Sequence, residues 1–180
     1  MRKLLVIAFI AITMFSVNAQ PLRFGVKAGF NASNYKADAN TIPQPGFHIG
    51  ATAEYAISDL ISIQPEALFA LKGDSNRDPY YLEIPVHLKF SFPLHSHKWY
   101  LSAGGYWAYG LYGKDKYKVG VFQTNYFIRY DYGAVIGTGY EVTDNLLLGL
   151  NYSRGLANII DVEGLDWSNE SLSLSIYFRF

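Results

Sequence analysis

Apolar and polar residues alternate one for one along four stretches of the chain. In residues 22–31, Leu22, Phe24, Val26, Ala28 and Phe30 are apolar, while Arg23, Gly25, Lys27, Gly29 and Asn31 are charged, polar or without a side chain. Phe47, Ile49, Ala51, Ala53 and Tyr55 alternate in the same way with His48, Gly50, Thr52 and Glu54. So do Leu82, Ile84, Val86, Leu88 and Phe90 with Tyr81, Glu83, Pro85, His87 and Lys89, and Leu172, Leu174, Ile176, Phe178 and Phe180 with Ser171, Ser173, Ser175, Tyr177 and Arg179. A period of two puts the two classes on opposite faces of a β-strand. Residues 61–71, 99–112, 126–141 and 146–152 follow the pattern less regularly. Together these predict eight strands, most near the roughly 9–11 residues that a tilted strand needs to cross a bilayer.

The connections alternate too. Segments 34–45, 73–79, 113–125 and 155–167 are long and rich in Gly, Asn, Asp and Pro. Ser58-Asp59 and Thr143-Asp144-Asn145 are tight turns, and residues 93–98 form a modest one. Long loops at one end and short turns at the other are the habit of outer-membrane barrels. The prediction is an all-β, eight-stranded, antiparallel, up-and-down transmembrane β-barrel with both chain ends on the short-turn side.

The polar face decides which way round the barrel is built. It carries Lys27, Glu54, Glu66, Glu83, Lys89, Asp131, Glu141 and Arg179. Such residues cannot line an apolar ligand cavity, but turned inward they can pair across a narrow lumen while the other face meets hydrocarbon. An unpaired buried charge would cost several kcal/mol, and the signs on this face nearly balance. Pro65 and Pro85 fall inside strands and cannot donate to the ladder, so bulges or irregular hydrogen bonding are expected there. Arg154 faces outward by parity with Tyr152, above the hydrocarbon band and within reach of lipid phosphates.

Composition supports the same class. The chain has 180 residues and equal numbers of basic and acidic side chains, 15 each, which gives no electrostatic case for a nucleic-acid partner. Only 17% of residues are charged, against about 25% in an average soluble domain. A mean hydropathy of +0.05 is too low for a helical membrane protein and fits strands that show lipid alternate residues. The absence of Cys excludes disulfides, thiolate zinc sites and a lipidated cysteine. Arg2 and Lys3, the apolar run 4–15 and Val17-Asn18-Ala19 read as a signal peptide over 1–19, cleaved after Ala19. Residues 20–180 then form the outer-membrane barrel domain.

Candidate chemistry is sparse. Glu83 and His87 share a strand face, but four residues at about 3.3 Å each separate them, too far to hold one ion unaided. His95 and His97 flank a turn without an evident third ligand. Asp161, Glu163 and Asp166 cluster in the last loop with no calcium-loop spacing. A hydrolase or acyltransferase would need a nucleophile–base pair at the outer rim, and Ser153 and His48 are the residues to test. No catalytic, cofactor or metal site is expected.

The strings FGVKAGFNASNY, IQPEALFALKG, YLEIPVHLKF, YDYGAVIGTGYEV, LNYSRGLANI and the ending SLSIYFRF, in that order, resemble the PorT-like outer-membrane β-barrel family of Bacteroidetes. The final outward row, with Phe178 and Phe180, is similar to the signal that the barrel-insertion machinery reads. The resemblance implies an integral barrel of the bacterial outer membrane; the family's founding member is linked to gliding and protein secretion. The expectation is therefore a non-enzymatic envelope protein with a side-chain-filled lumen. Its expected partners are outer-membrane lipid and lipopolysaccharide, the insertion machinery, and an unidentified protein at the outer loops. A small-solute or ion pore and a component of a secretion apparatus are the alternatives.

Overall fold

The computed structural model describes residues 22–36, 43–72, 77–94, 97–115, 120–122, 127–162 and 165–180; the signal segment 1–19 lies outside them. Eight strands run in chain order: β1 Leu22–Lys36, β2 Gln44–Ala56, β3 Ile61–Leu71, β4 Arg77–Leu94, β5 His97–Asp115, β6 Tyr130–Glu141, β7 Leu146–Gly155 and β8 Ser168–Arg179. Each is antiparallel to its neighbours, and β8 returns to pair with β1, closing the barrel. The eight-stranded antiparallel barrel predicted from the alternation is the fold observed.

The alternation becomes inside and outside. On β1, Lys27, Asn31 and Ser33 are buried while Val26 and Phe30 stand in the open. Phe30 is 76% exposed and Leu174 59%. Rows of such side chains on every strand are what a water-facing surface avoids and a hydrocarbon-facing one requires. The polar residues fill the centre, where they take the place of an apolar core.

Several boundaries differ from the sequence reading. β1 continues to Lys36, β4 starts at Arg77, β5 reaches Asp115 and β7 reaches Gly155, while β6 begins at Tyr130 rather than residue 126. Beyond the hydrocarbon both faces meet water, so the polar–apolar contrast fades while the hydrogen-bonded ladder carries on. At 18 and 19 residues, β4 and β5 are nearly twice the length that crossing demands. Their hairpin projects past its neighbours, Arg77 to Pro79 pairing with Gly113 to Asp115 beyond the last β3 partner, Tyr80.

The prolines do not make bulges. Pro65 keeps its partner Val86 on β4, and the ladder to β2 lapses opposite it. Pro85 keeps Tyr106 on β5, and the ladder to β3 lapses there. In both places the register is the same before and after the lapse. Each proline gives up rungs to one neighbour and is held straight by the other. The one register shift of the β4–β5 pair lies between Tyr80 and Tyr81, at the long-loop end.

The short turns are stapled by hydroxyls. Ser58 Oγ accepts from the amides of Leu60 at 3.3 Å and Ile61 at 3.1 Å, and Thr143 Oγ1 from those of Asn145 at 3.3 Å and Leu146 at 3.0 Å. Such side-chain bonds satisfy turn amides that have no ladder partner. Phe178 and Phe180 lie on the outward row of β8, and the Phe180 amide donates to the Phe24 carbonyl at 3.0 Å across the closing seam.

Candidate functional site

The lumen, with its two ends, is where the chemistry is concentrated. Toward the short-turn end, Glu54 on β2 accepts from Lys89 on β4 and Arg179 on β8, each at 3.1 Å. Arg179 also reaches Glu141 on β6 at 2.7 Å. Ser62 donates to Glu54 at 2.8 Å, and Lys89 donates to Gln64 at 2.9 Å. Five strands, β2, β3, β4, β6 and β8, are thus tied together.

In the middle, Lys27 and Glu66 meet at 2.7 Å with side chains 4% and 0% exposed. Gln64 donates to the other Glu66 oxygen at 2.6 Å, and His87 stands 3.9 Å from it. The ammonium groups of Lys27 and Lys89 lie over the rings of Tyr177 and Tyr100, 4.8 and 4.5 Å from the centroids. Those two rings occupy space left by Gly149. A Cβ there would come within 2.6 Å of Tyr100 Oη and 2.8 Å of Tyr177 Cε2, so glycine is required by close approach.

Toward the long-loop end, Lys72 pairs with Glu83 and lies over Tyr106, 5.0 Å from its centroid. Asp131 is held without a cation: Tyr106 Oη donates to it at 3.0 Å and Asn169 Nδ2 at 2.8 Å. The eight charged residues singled out from the alternating face therefore all point inward, and seven of them sit in ion pairs. The sequence reading missed Lys72, which it left at a loop edge. Its signal was parity, since it continues the buried row Ser62, Gln64, Glu66, Leu68, Ala70 on β3.

Glu83 and His87 do not act together, since one pairs with Lys72 and the other faces Glu66. His48 does not pair with Ser153. Its Nδ1 lies 2.5 Å from Asn31 Oδ1 and its Nε2 lies 2.9 Å from Ser175 Oγ. Asn31 Oδ1 can only accept, so the proton sits on Nδ1 and Nε2 receives the serine hydroxyl. This has the order of a nucleophile, base and orienting amide, but Ser175 is wholly buried. The adjoining cavity, bounded by Lys27, Asn31, His48, Lys72, Glu83 and His87, measures about 30 Å³. By the roughly 10–15 Å³ that one water needs, it holds about two waters and no substrate.

His97 opens β5 with its ring edge toward Tyr140 at 6.3 Å, while His95 and Glu163 lie outside the described residues. Asp161 and Asp166 are exposed. No group of three metal-ligating side chains occurs among the described residues.

The long-loop end is sealed by apolar packing. Val121 and Phe122 fold in against Tyr81, Tyr106 and Ala108, with Phe127 alongside. Phe122 meets Tyr81 edge to face at 5.8 Å. Above this, Tyr35 stacks on Trp167 at 5.9 Å, and the Arg77 guanidinium lies over both Phe127 and Trp167, 5.0 and 5.1 Å from their centroids. Arg129 pins the cap by donating to the carbonyls of Gly110 at 2.8 Å and Leu111 at 3.1 Å. Val121 and Phe122 from the connection 113–125 and Trp167 from the connection 155–167 are thus parts of a lid. The short-turn end opens instead into a vestibule of about 480 Å³ lined by Arg23, Lys98, Glu141, Asp144 and Arg179.

Comparison with known proteins agrees with this architecture. No curated protein matches the chain in sequence. Neisserial surface protein A is similar in structure, with a TM-score of 0.56 and 19% identity over 87% of this chain and 97% of that one. Ail, the attachment invasion locus protein of Yersinia pestis, in its complex with the heparin analogue sucrose octasulfate, gives a TM-score of 0.51 and 14% identity over 89% and 100%. At these identities the likeness is one of fold. A family model for the outer membrane protein beta-barrel domain matches residues 18–161, most of the chain. Given that match and a barrel that turns its apolar face outward, the chain belongs to the outer membrane β-barrel family, and its place is the bacterial outer membrane.

Proposed function

We propose that this is a non-enzymatic, non-conducting barrel that meets its partners through its capped outer end. The observation that carries this reading is the double closure of the lumen, by paired charges in the middle and by the aromatic lid outside. A vestibule that ends on Arg179, itself paired with Glu54 and Glu141, supports a blind cup rather than a pore. Planar-bilayer recording tests it: the reconstituted protein is expected to give no stable single-channel step, and a large, long-lived step would overturn the reading in favour of a pore.

The finer placement is part of the same proposal. The YLEIP and QPE strings and the Gly25, Lys27, Gly29, Asn31 opening support membership of the PorT-like barrels of Bacteroidetes. That relationship is also what supports the alternative of a part in protein secretion. Residues 1–19 fit a cleaved export signal, and the outward row with Phe178 and Phe180 fits recognition by the insertion machinery. The inward charges Lys27, Glu54, Glu66, Glu83, Lys89, Asp131, Glu141 and Arg179 have a structural role in this reading. An unidentified protein partner would dock on the outer loops.

A further inference from the structure

The lipid-facing wall is not uniform. Between β5 and β8 it carries a groove of about 420 Å³ whose sides are formed by Leu101, Ile136, Thr138, Leu150, Tyr152 and Leu172. Its floor is strand backbone at Gly137, whose Cβ position points the other way, into the lumen toward Asn151 and Ser102. Thr138 is tied down, accepting from the Trp99 indole N–H at 2.8 Å and donating to the Tyr100 carbonyl at 3.0 Å. The hydroxyl that would intrude is thereby satisfied against the wall, and the groove is left apolar.

Its outer end is charged. The next outward residue on β7 after Tyr152 is Arg154, which is exposed. Its cross-strand neighbours are Glu170 on β8 and the small Ala134 on β6. Tyr152 Oη donates to one oxygen of Glu170. Arg154 itself makes no hydrogen bond or ion pair with any described residue. Beside it on β6 stand Tyr130 and Tyr132, 57% and 55% exposed, the amphipathic rings that mark a headgroup layer.

We infer that this groove is a binding site for a phosphorylated lipid of the outer leaflet, with one acyl chain lying along Leu101, Ile136, Leu150 and Leu172 and a headgroup phosphate on the Arg154 guanidinium. Apolar burial along the groove supplies adhesion, and the planar guanidinium supplies recognition of the phosphate. The inference rests on the outer wall meeting lipid and not on the lumen being closed, so a conductance measurement leaves it standing.

Native mass spectrometry of the full chain released from nanodiscs tests it, with diphosphorylated lipid A as the probe and its dephosphorylated form as the comparison. The wild-type protein is expected to retain one phosphorylated lipid. Arg154→Ala is expected to weaken retention about tenfold, the size of one charge-assisted contact, as is removal of the phosphates. Leu150→Trp fills the groove and is expected to lower retention of both forms, while Lys114→Ala, at the outer end of β5, is expected to leave it unchanged. A heat-dependent shift in gel mobility verifies that each variant is folded. Equal retention by wild type and Arg154→Ala, equal retention of the two lipid forms, an unaffected Leu150→Trp, or no retained lipid on the wild type would overturn the site.

Discussion

The two ends of the lumen are closed by opposite chemistry. At the outer end, Phe122, Phe127, Trp167 and Tyr35 pack over the mouth and exclude water. At the inner end, Arg179 joins Glu54 to Glu141 beside an open, hydrated vestibule. The outer seal comes from long connections, which have enough chain to fold back on themselves. The inner turns are four residues long or fewer and have nothing to fold over, so strand side chains must close that end. Between the two lies Lys27–Glu66, buried from bulk solvent, with Lys27 bordering only the small internal cavity.

The sharpest way to break this scheme is in the middle. Glu66→Ala leaves Lys27 charged, buried and without its partner, and is expected to cost about 3–5 kcal/mol. Urea unfolding of the protein in lipid vesicles, followed by tryptophan fluorescence, should show a much lower midpoint. The double variant Lys27→Met with Glu66→Leu is expected to recover most of the loss, because removing both charges also removes both desolvation penalties. A single variant as stable as wild type would mean that water reaches the pair, and the sealed middle would have to be abandoned.

The outer seal comes next. Phe122→Ala deletes a ring packed against Tyr81 and over Gly110, worth about 3 kcal/mol of local packing. The effect should stay local, since the strands beneath are held by their own ladder and charges. Trypsin added outside proteoliposomes should cut the cap near Arg129 faster, while the urea midpoint moves little. Equal rates of cleavage would mean that the loops are not held by this ring.

These two regions were unequally legible. The middle could be read from the chain because each strand samples two environments in strict alternation, so Lys27, Glu54, Glu66 and Glu83 announce the inside by parity. The cap could not. Phe122, Ile159 and Trp167 sit in loops with no period, Phe127 falls in a stretch read as strand, and nothing local says that two loops meet over the mouth. The available signal was the apolar content of these connections, Val121-Phe122 and Ile159-Ile160, which exposed loops seldom carry. The pairing of His48 with Ser175 was hidden for a different reason. It joins β2 to β8 over Gly29 of β1, with which both residues are in register, a contact fixed by barrel closure and not by either strand's own sequence.

Arg179→Gln sharpens the inner end. It removes the donor shared by Glu54 and Glu141, leaving Glu54 with Lys89 and Ser62 and Glu141 to the vestibule's water. A cost of about 1–3 kcal/mol is expected, read as a lowered urea midpoint. It is smaller than that of Glu66→Ala because water can replace part of what is lost. A loss as large as that of Glu66→Ala would show that the vestibule is dry.

Salt distinguishes the two closures by the smallest effect. At about 1 M ionic strength the screening length falls to roughly 3 Å, so ion pairs that border water weaken and apolar contacts do not. Arg179–Glu141 borders the vestibule, whereas Phe122 and Tyr81 hold the cap without charge. Raising sodium chloride is therefore expected to narrow the stability gap between wild type and Arg179→Gln by a few tenths of a kcal/mol, in the range of exposed pairs. The difference in trypsin cleavage between wild type and Phe122→Ala should stay as it was. If that difference shrank with salt as well, the cap would owe its hold to Arg77 and Arg129 more than to its rings, and the contrast between the two ends would be one of degree.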